Sequence, residues 1–148
     1  MSLVNQIDID FKSALKNKEV EKLSTLRLLK SAIKNYEIEQ KNEVGDDDVI
    51  KIIQREIKQR KDSIESFSTS GRQGLADKEE KEMEILQKYM PEQLPDDELE
   101  KIIETAISEI GATSLVDMGK VMGKVMPQIA GRADGNHVSS KVREVLSR

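Results

Sequence analysis

The stretch from Asp117 to Arg148, DMGKVMGKVMPQIAGRADGNHVSSKVREVLSR, contains a short tandem repeat of glycine, lysine, valine and methionine. Each residue of the repeat recurs four positions later, which on an α-helix is one turn away on the same face. The repeat therefore forms one stripe of glycines and one of lysines: Gly119 and Gly123, and Lys120 and Lys124. A glycine inside a helix costs roughly 1 kcal/mol against alanine. We infer that something approaches the backbone here.

Two interpretations of the glycine stripe are open. The glycines can form a groove that receives a neighbouring helix, or they can let a nucleic-acid backbone come close to the lysines. Gly-x-x-x-Gly is also a membrane-helix motif, but lysines interleaved at this density exclude that use. Residues 117–148 carry six basic residues against three acids, in a chain whose formal net charge is −4. This asymmetry favours an anionic partner for the tail.

Outward from the repeat, the C-terminal part is predicted to contain three short helices. The first has apolar residues at helical spacing, an acidic start that suits the helix dipole, and Gly111 as its stop. The repeat helix follows, then a loop from Gln128 to Asp134, and then a last helix with valines at helical spacing. We expect Asp134 to cap that last helix.

The segment Pro91-Glu92-Gln93-Leu94-Pro95 predicts a boundary, because two prolines in five residues continue neither a helix nor a central strand. No segment alternates apolar and polar residues for long enough to predict a sheet. The expected fold is all-α, with a helical N-terminal domain at 1–90, a linker at 91–95 and a three-helix tail domain at 96–148.

Helix boundaries in the N-terminal domain follow from capping residues and from breaks in the apolar spacing. The first helix is predicted over Ser2 to Lys16, and the second begins near Glu19. Gly45 is expected to stop the second helix, and Asp46 to cap the third. The acidic run at 46–48 lacks the alternating ligands of a calcium loop, so it is interpreted as a cap.

The third helix is predicted to be amphipathic with a basic back made of Lys51, Arg55 and Lys58. Lysines opposite an apolar face are usually solvated, so this stripe carries no assigned function. Arg60 lies close to the apolar arc, where it either pairs with an acid or marks a functional edge. Arg72, in a glycine-flanked loop, is a candidate binding residue because loops often carry function.

Most catalytic chemistry is excluded by what the sequence lacks. There is no cysteine, so disulfides, thiolate metal sites and cysteine nucleophiles are ruled out. The single histidine, His137, has no metal-ligand spacing around it, and no glycine-rich loop follows a strand. We expect no cofactor, no metal and no independent active site. His137 is interpreted as a solvent-exposed side chain or as a contact to a phosphate or base.

No run of 18 apolar residues occurs, and acids appear from the eighth residue. These features predict a soluble cytoplasmic protein without a membrane partner. The candidate residues for an anionic ligand are the cations of the tail together with the loop arginine: Lys120, Lys124, Arg132, His137, Lys141 and Arg72. The candidate positions for close backbone approach are Gly119, Gly123, Gly131 and Gly135.

Several motifs together resemble the YqeY-like proteins along essentially the whole chain. They are Gly71-Arg72, Tyr89-Met90-Pro91-Glu92-Gln93-Leu94, Asp117-Met118-Gly119-Lys120-Val121-Met122 and Gly131-Arg132-Ala133-Asp134-Gly135. The C-terminal part of that family is similar to the tail of GatB, the B subunit of the glutamine-dependent aspartyl/glutamyl-tRNA amidotransferase. There the helical and tail domains engage the tRNA. The resemblance implies tRNA contact at Gly119, Lys120, Met122, Gly131, Ala133 and Asp134.

Three functions are consistent with these observations. The leading hypothesis is a non-catalytic tRNA-binding module, alone or accessory to tRNA-dependent amidation. The second is a protein–protein adaptor in which the glycine stripe and its methionines receive a partner helix. The third, implied only by the resemblance, is an amidotransferase-associated subunit with a carbon–nitrogen ligase role using glutamine as amide donor. No counterpart of that enzyme's catalytic cradle domain is present in this chain.

Overall fold

The chain folds into two compact units, Met1–Met90 and Pro91–Arg148. A computed structural model describes residues 2–148, and within them every regular element is a helix. The all-α prediction is confirmed. The first unit contains α1 (Leu3–Lys16), α2 (Val20–Gln40), α3 (Asp46–Thr69) and α4 (Gln73–Gln87). The second contains α5 (Asp96–Ile110), a 3-10 turn (Leu115–Asp117), α6 (Met118–Ile129) and α7 (Gly135–Leu146).

The core of the first unit is built almost entirely from branched aliphatic side chains. Its fully buried members come from all four helices and include Ile7, Leu26, Leu29, Val49, Ile53 and Leu86. Within each helix these residues recur at three- or four-residue spacing, so each helix turns one apolar stripe inwards. Because aromatic residues make up only 3% of the chain, aliphatic packing supplies most of the apolar burial.

The junction between α2 and α3 differs from the sequence-based prediction. Helix α2 ends at Gln40, and Lys41 takes the left-handed conformation with φ of 56°. Gly45 is extended and occupies the N-cap of α3, where its N–H donates to Asp48 Oδ2 at 3.3 Å. The prediction of Gly45 as a stop and Asp46 as a cap was wrong, because Asp46 already lies in the first turn. Glycine is acceptable at an N-cap.

A tight turn connects α3 and α4 and contains Arg72. Gly71 has φ of 78°, a value that glycine adopts without steric cost. The Arg72 N–H donates to the Phe67 carbonyl at 2.8 Å and closes the end of α3. The predicted loop at 68–74 is therefore shorter than expected, and Arg72 lies at the N-cap of α4 with its side chain exposed.

Two tyrosines add side-chain hydrogen bonds around the first core. The Tyr89 hydroxyl donates to Asp10 Oδ2 at 2.5 Å, and the Tyr36 hydroxyl donates to Asp48 Oδ1 at 3.1 Å. Burial, together with the hydrogen bond to Asp10, raises the pKa of Tyr89 well above its usual value. Both phenols therefore stay protonated at neutral pH and can donate to these carboxylates.

Arg60 of α3 is a buried cation held by two carboxylates. Its side chain is 8% exposed, and one guanidinium nitrogen lies 3.0 Å from Glu56 Oε2. The Nε atom lies 3.5 Å from Glu82 Oε2 on α4, yet it forms no hydrogen bond within residues 2–148. Of the two interpretations of Arg60, the structure supports pairing with neighbouring acids.

The second unit has its own aliphatic core. The fully buried residues are Leu99 and Ile103 on α5, Val121, Val125 and Ile129 on α6, and Val138 and Val142 on α7. Gly111 ends α5 with φ of 75°, as predicted, and its N–H donates to the Ile107 carbonyl at 2.9 Å.

Segment 91–95, predicted as a linker, is incorporated into this unit. Leu94 is 9% exposed and belongs to the core, and its N–H donates to the Arg132 carbonyl at 2.8 Å. The loop predicted to begin at Gln128 begins later, because α6 continues through Pro127 to Ile129.

Replacing Arg60 by alanine is expected to lower the free energy of unfolding by roughly 3 kcal/mol. The substitution leaves Glu56 and Glu82, whose side chains are 19% and 11% exposed, without their cation, and a buried charge without a partner is costly. Urea denaturation followed by circular dichroism measures the change. Arg55→Ala on the exposed side of α3 is the matched control and should alter stability by less than about 0.5 kcal/mol. Equal effects of the two substitutions would contradict this account of Arg60.

Candidate nucleic-acid interface

The glycine stripe of α6 lies on the surface. Gly119 and Gly123 are exposed, and a Cβ atom built on either would meet no other group within 4 Å in the described part of the chain. The buried residues of α6, Val121, Val125 and Ile129, project from the other side of the helix. Within the second unit these glycines therefore form no groove for another helix, because the valine stripe provides the packing of α6.

The two lysines beside the glycines have different surroundings. Lys120 is exposed, and no carboxylate of residues 2–148 lies within ion-pair distance of it. Lys124 forms an ion pair with Glu109 of α5. Both partners of that pair are partly exposed, at 39% and 50%, so the pair contributes little to stability and can exchange partners.

Pro127 changes the hydrogen bonding of the glycine stripe. A helical residue at 127 would donate its N–H to the carbonyl oxygen of Gly123, four residues earlier. Proline has no N–H, so the Gly123 carbonyl lacks its usual helical donor. Gly123 is exposed and has no side chain that could cover this acceptor.

The loop between α6 and α7 uses its glycine for backbone geometry. Ala130 and Gly131 both have positive φ, at 47° and 82°. The Arg132 side chain donates from Nε to the Glu92 carbonyl at 3.3 Å, and its own carbonyl accepts from Leu94. Arg132 thus holds the loop against the segment at 91–95.

Asp134 and Gly135 form the start of α7. The Asp134 carboxylate accepts the Asn136 N–H at 3.2 Å, so the predicted N-cap is observed. At Gly135, an added Cβ would be 4.0 Å from the Met126 side chain, which is ordinary van der Waals contact. The fold itself accounts for both residues, without a ligand close to the backbone.

His137 is exposed but has a partner within the chain. Its Nε2 lies 2.7 Å from Asp96 Oδ1 at the start of α5. The hydrogen bond from His137 lowers the pKa of Asp96, and the charge of Lys141 acts in the same direction. A carboxylate at this position repels phosphate and occupies the imidazole nitrogen, so His137 is a poor phosphate ligand in this conformation.

Two further tail cations, Lys141 and Arg148, are paired with acids. Lys141 is 17% exposed on its side chain and lies 3.6 Å from Glu144. Arg148 forms ion pairs with three carboxylates, on Glu100, Glu104 and Glu144. The local excess of positive charge seen in residues 117–148 is therefore reduced by acids from α5. A count of charges restricted to residues 117–148 could not include these acids.

The structure brings together only part of the predicted set. Gly119, Gly123, Lys120 and Lys124 share the solvent-facing side of α6, and we call these four residues the α6 face. Arg132, His137 and Lys141 are engaged in contacts within the second unit, and Arg72 belongs to the first unit.

Sequence reasoning missed two features beside the α6 face. Val116, on the 3-10 turn just before α6, is 92% exposed, and its neighbour Leu115 is 48% exposed. In the sequence, their exposure is indicated by their position outside the apolar stripe of any predicted helix. The second feature is the Gly123 carbonyl, which loses its helical donor because Pro127 has no N–H. The four-residue spacing of Gly123 and Pro127 in the sequence indicates this loss.

Replacing Gly119 or Gly123 by alanine is expected to raise the free energy of unfolding by roughly 0.5–1 kcal/mol each. Both positions are helical with open space at Cβ, and alanine favours the helix over glycine by about that amount. Denaturation measured by circular dichroism tests this. Gly131→Ala is the control and should destabilise the protein, because its φ of 82° disfavours a side chain. A loss of stability in the two α6 variants would show that these glycines serve internal packing.

The Asp96–His137 contact predicts a pH effect with a definite sign. The Asp96 pKa is lowered in the folded state, so the contact stabilises the fold above the unfolded value of 3.8. That contribution is lost as pH falls below 3.8 through the folded-state pKa. In an NMR titration of the Asp96 carboxyl, His137→Ala should raise its pKa, whereas the neighbouring Asn136→Ala should not. An unchanged titration in His137→Ala would refute the contact.

Among residues 2–148, no helix has the length and apolar character needed to span a membrane, and no cluster of three or more potential metal ligands occurs.

Comparison with curated proteins finds relatives that share the name altered inheritance of mitochondria protein 41, mitochondrial. The relative from Pyrenophora tritici-repentis is 33% identical over 146 residues, covering 95% of this chain and 79% of that protein. A Saccharomyces cerevisiae relative is 34% identical over 124 residues, covering 78% of this chain and 66% of that protein. The Clavispora lusitaniae relative is 32% identical, covering 86% and 74%.

The prediction of a cytoplasmic location is wrong by this comparison, because these relatives are named as mitochondrial proteins. The names point to mitochondria instead. The prediction rested mainly on the absence of a long apolar run, which argues against a membrane helix or a secretory signal. Mitochondrial transit peptides are amphipathic and need no such run, so its absence does not bear on this compartment.

A model of the YqeY-like protein family matches residues 4–146, nearly the whole chain. The match extends over both compact units, as the resemblance in the sequence motifs predicted. This chain belongs to the YqeY-like protein family.

Proposed function

We propose that this protein is a non-catalytic tRNA-binding module and that the α6 face is its RNA-contacting surface. The observation that carries the proposal is the exposure of Gly119 and Gly123. Two glycines in a 12-residue helix oppose helix formation, and no contact within the described chain compensates for them. A ligand that needs close access to the backbone gives them a use.

The charges on the α6 face suit a phosphate backbone. Lys120 carries a positive charge with no carboxylate of the described residues paired to it, and Lys124 lies one turn further along the same stripe. Phosphate can compete with Glu109 for Lys124, since their ion pair is partly exposed. Two lysines one turn apart beside a bare backbone provide charge without steric obstruction.

The Gly123 carbonyl favours RNA over DNA as the ligand. Because Pro127 cannot donate to it, this oxygen can accept a hydrogen bond from a ligand. The ribose 2′-hydroxyl is a donor that DNA lacks, and proteins use it to distinguish the two nucleic acids. We therefore propose RNA, and not DNA, as the ligand of the α6 face.

The role in tRNA-dependent amidation rests on the resemblance of the tail to that of the amidotransferase B subunit. In that enzyme the tail engages tRNA, and we propose an accessory role in the same process for this protein. Among the candidate residues, Arg132, His137 and Lys141 have contacts within the chain, which supports placing the proposed tRNA contact elsewhere. Lys120 and Lys124 are the lysines that we assign to tRNA.

The double substitution Lys120→Glu with Lys124→Glu is expected to weaken tRNA binding at least about tenfold at low salt. Each lost phosphate contact should also reduce the slope of log affinity against log salt by about one. Fluorescence anisotropy with labelled tRNA at several salt concentrations measures both quantities. The control is Lys101→Glu, an exposed lysine of α5 in the same unit. Absence of tRNA binding by the unmodified protein, or equal binding by all variants, would refute the proposal.

A protein–protein adaptor is the second candidate, favoured by the exposed apolar residues around α6. Val116, Leu115 and Met126 are 92%, 48% and 36% exposed. Apolar side chains beside a strip of bare backbone suit a partner helix packed at close range. Such an interaction should respond little to salt, so the salt series distinguishes it from binding to phosphate.

A further inference from the structure

A groove between α1 and α2 in the first unit has features of a ligand site. It is open to solvent and has a volume of about 420 Å³, within the usual size range of small-molecule sites. Ile7 and Ile33 are buried and form its apolar floor, while Val4 and the ring of Phe11 line the α1 side. The α1 residues are spaced three or four apart, so they line the groove from one helix face.

The α2 side of the groove is basic. Arg27, Lys30 and Lys34 recur at three- and four-residue spacing and all line the groove. The Lys30 Nζ lies 4.5 Å from the centroid of the Phe11 ring, and the Arg27 Cζ lies 5.9 Å from it. Both cations lie within the distance at which an aromatic ring attracts a positive charge.

Two acids also line the groove, and they limit its positive charge. Asp8 pairs with Lys30 at 3.0 Å, with the two side chains 41% and 39% exposed. Glu37 lies at the far end of the α2 stripe. Because the Asp8–Lys30 pair is exposed, its separation costs little. Arg27 and Lys34 have no carboxylate partner within ion-pair distance among the described residues.

We propose that this groove binds a nucleotide, with the base stacked on Phe11 and the phosphate held by Arg27 and Lys34. Base stacking on an aromatic side chain beside cations is a common way to hold an unpaired nucleotide. In this arrangement the base replaces the Lys30 ammonium over the ring, and the exposed Asp8–Lys30 pair separates at little cost. The ligand is a free mononucleotide or an unpaired nucleotide of an RNA, which share this chemistry.

The site is independent of the proposed tRNA contact, because it lies in the first unit and uses none of the residues of the α6 face. Its failure and the failure of the proposed function can therefore be told apart. The two sites are distinguished by the substitutions that weaken binding, at Phe11 and Lys34 for the groove and at Lys120 and Lys124 for the α6 face.

The test is titration of the full chain with AMP, UMP, inorganic phosphate and a short single-stranded RNA, followed by NMR of the Phe11 ring and by calorimetry. Phe11→Leu keeps apolar volume but removes the π-face, and should weaken nucleotide binding at least about fivefold. Lys34→Glu should weaken it without disturbing the core, since Lys34 is exposed. The matched controls are Phe67→Leu and Lys51→Glu on α3, which lie outside the groove.

Saturable binding of AMP or UMP that both groove variants weaken supports the proposal with a free nucleotide as the source. Binding of RNA alone, weakened by both groove variants but not by the control substitutions, supports an unpaired RNA nucleotide. Binding of inorganic phosphate as tight as that of the nucleotides overturns the stacking role of Phe11. No binding of any probe, or unchanged affinity in Lys34→Glu, overturns the site. Loss of RNA binding only in the α6 variants overturns the groove and leaves the proposed function intact.

Discussion

Burial of aliphatic side chains on one stripe of each helix is the constraint on which both units depend. With no cysteine and few aromatic residues, apolar burial rests mainly on Leu, Ile and Val at three- and four-residue spacing. Each unit contains one such core. In α6 the buried apolar stripe consists of Val121, Val125 and Ile129. The opposite side of that helix is thus free of any packing requirement, and the glycines are found there.

The exposed glycines and the buried Arg60 are two departures from what a helical bundle requires. Arg60 places a charge inside the first unit, but two carboxylates compensate for it, so it is accounted for by the fold itself. Gly119 and Gly123 have no such compensation among the described residues. This difference is why we assign a structural role to the arginine and a binding role to the glycine face.

The fold class and most helix positions could be predicted from the sequence, because apolar spacing and capping residues are local properties. Gly111 stops its helix and Asp134 caps its own as expected. Gly45 was misjudged because glycine serves at either end of a helix, and only the path of the chain decides which. The sequence could not show whether the glycine stripe is buried or exposed. The tandem repeat shows which residues share a helix face, but not whether another part of the protein covers that face. The partners of Lys124 and His137, and two of the three partners of Arg148, are on α5. The sequence could not show these ion pairs between helices.

The central claim is that RNA approaches the bare backbone of α6, and amide NMR of the glycines tests it most directly. Glycine signals fall in a separate region of the amide spectrum, and the chain has only eight glycines. On addition of tRNA, the account predicts that the Gly119 and Gly123 signals shift or broaden first, while those of Gly45 and Gly74 in the first unit change least. Unchanged Gly119 and Gly123 signals at saturating tRNA would contradict it.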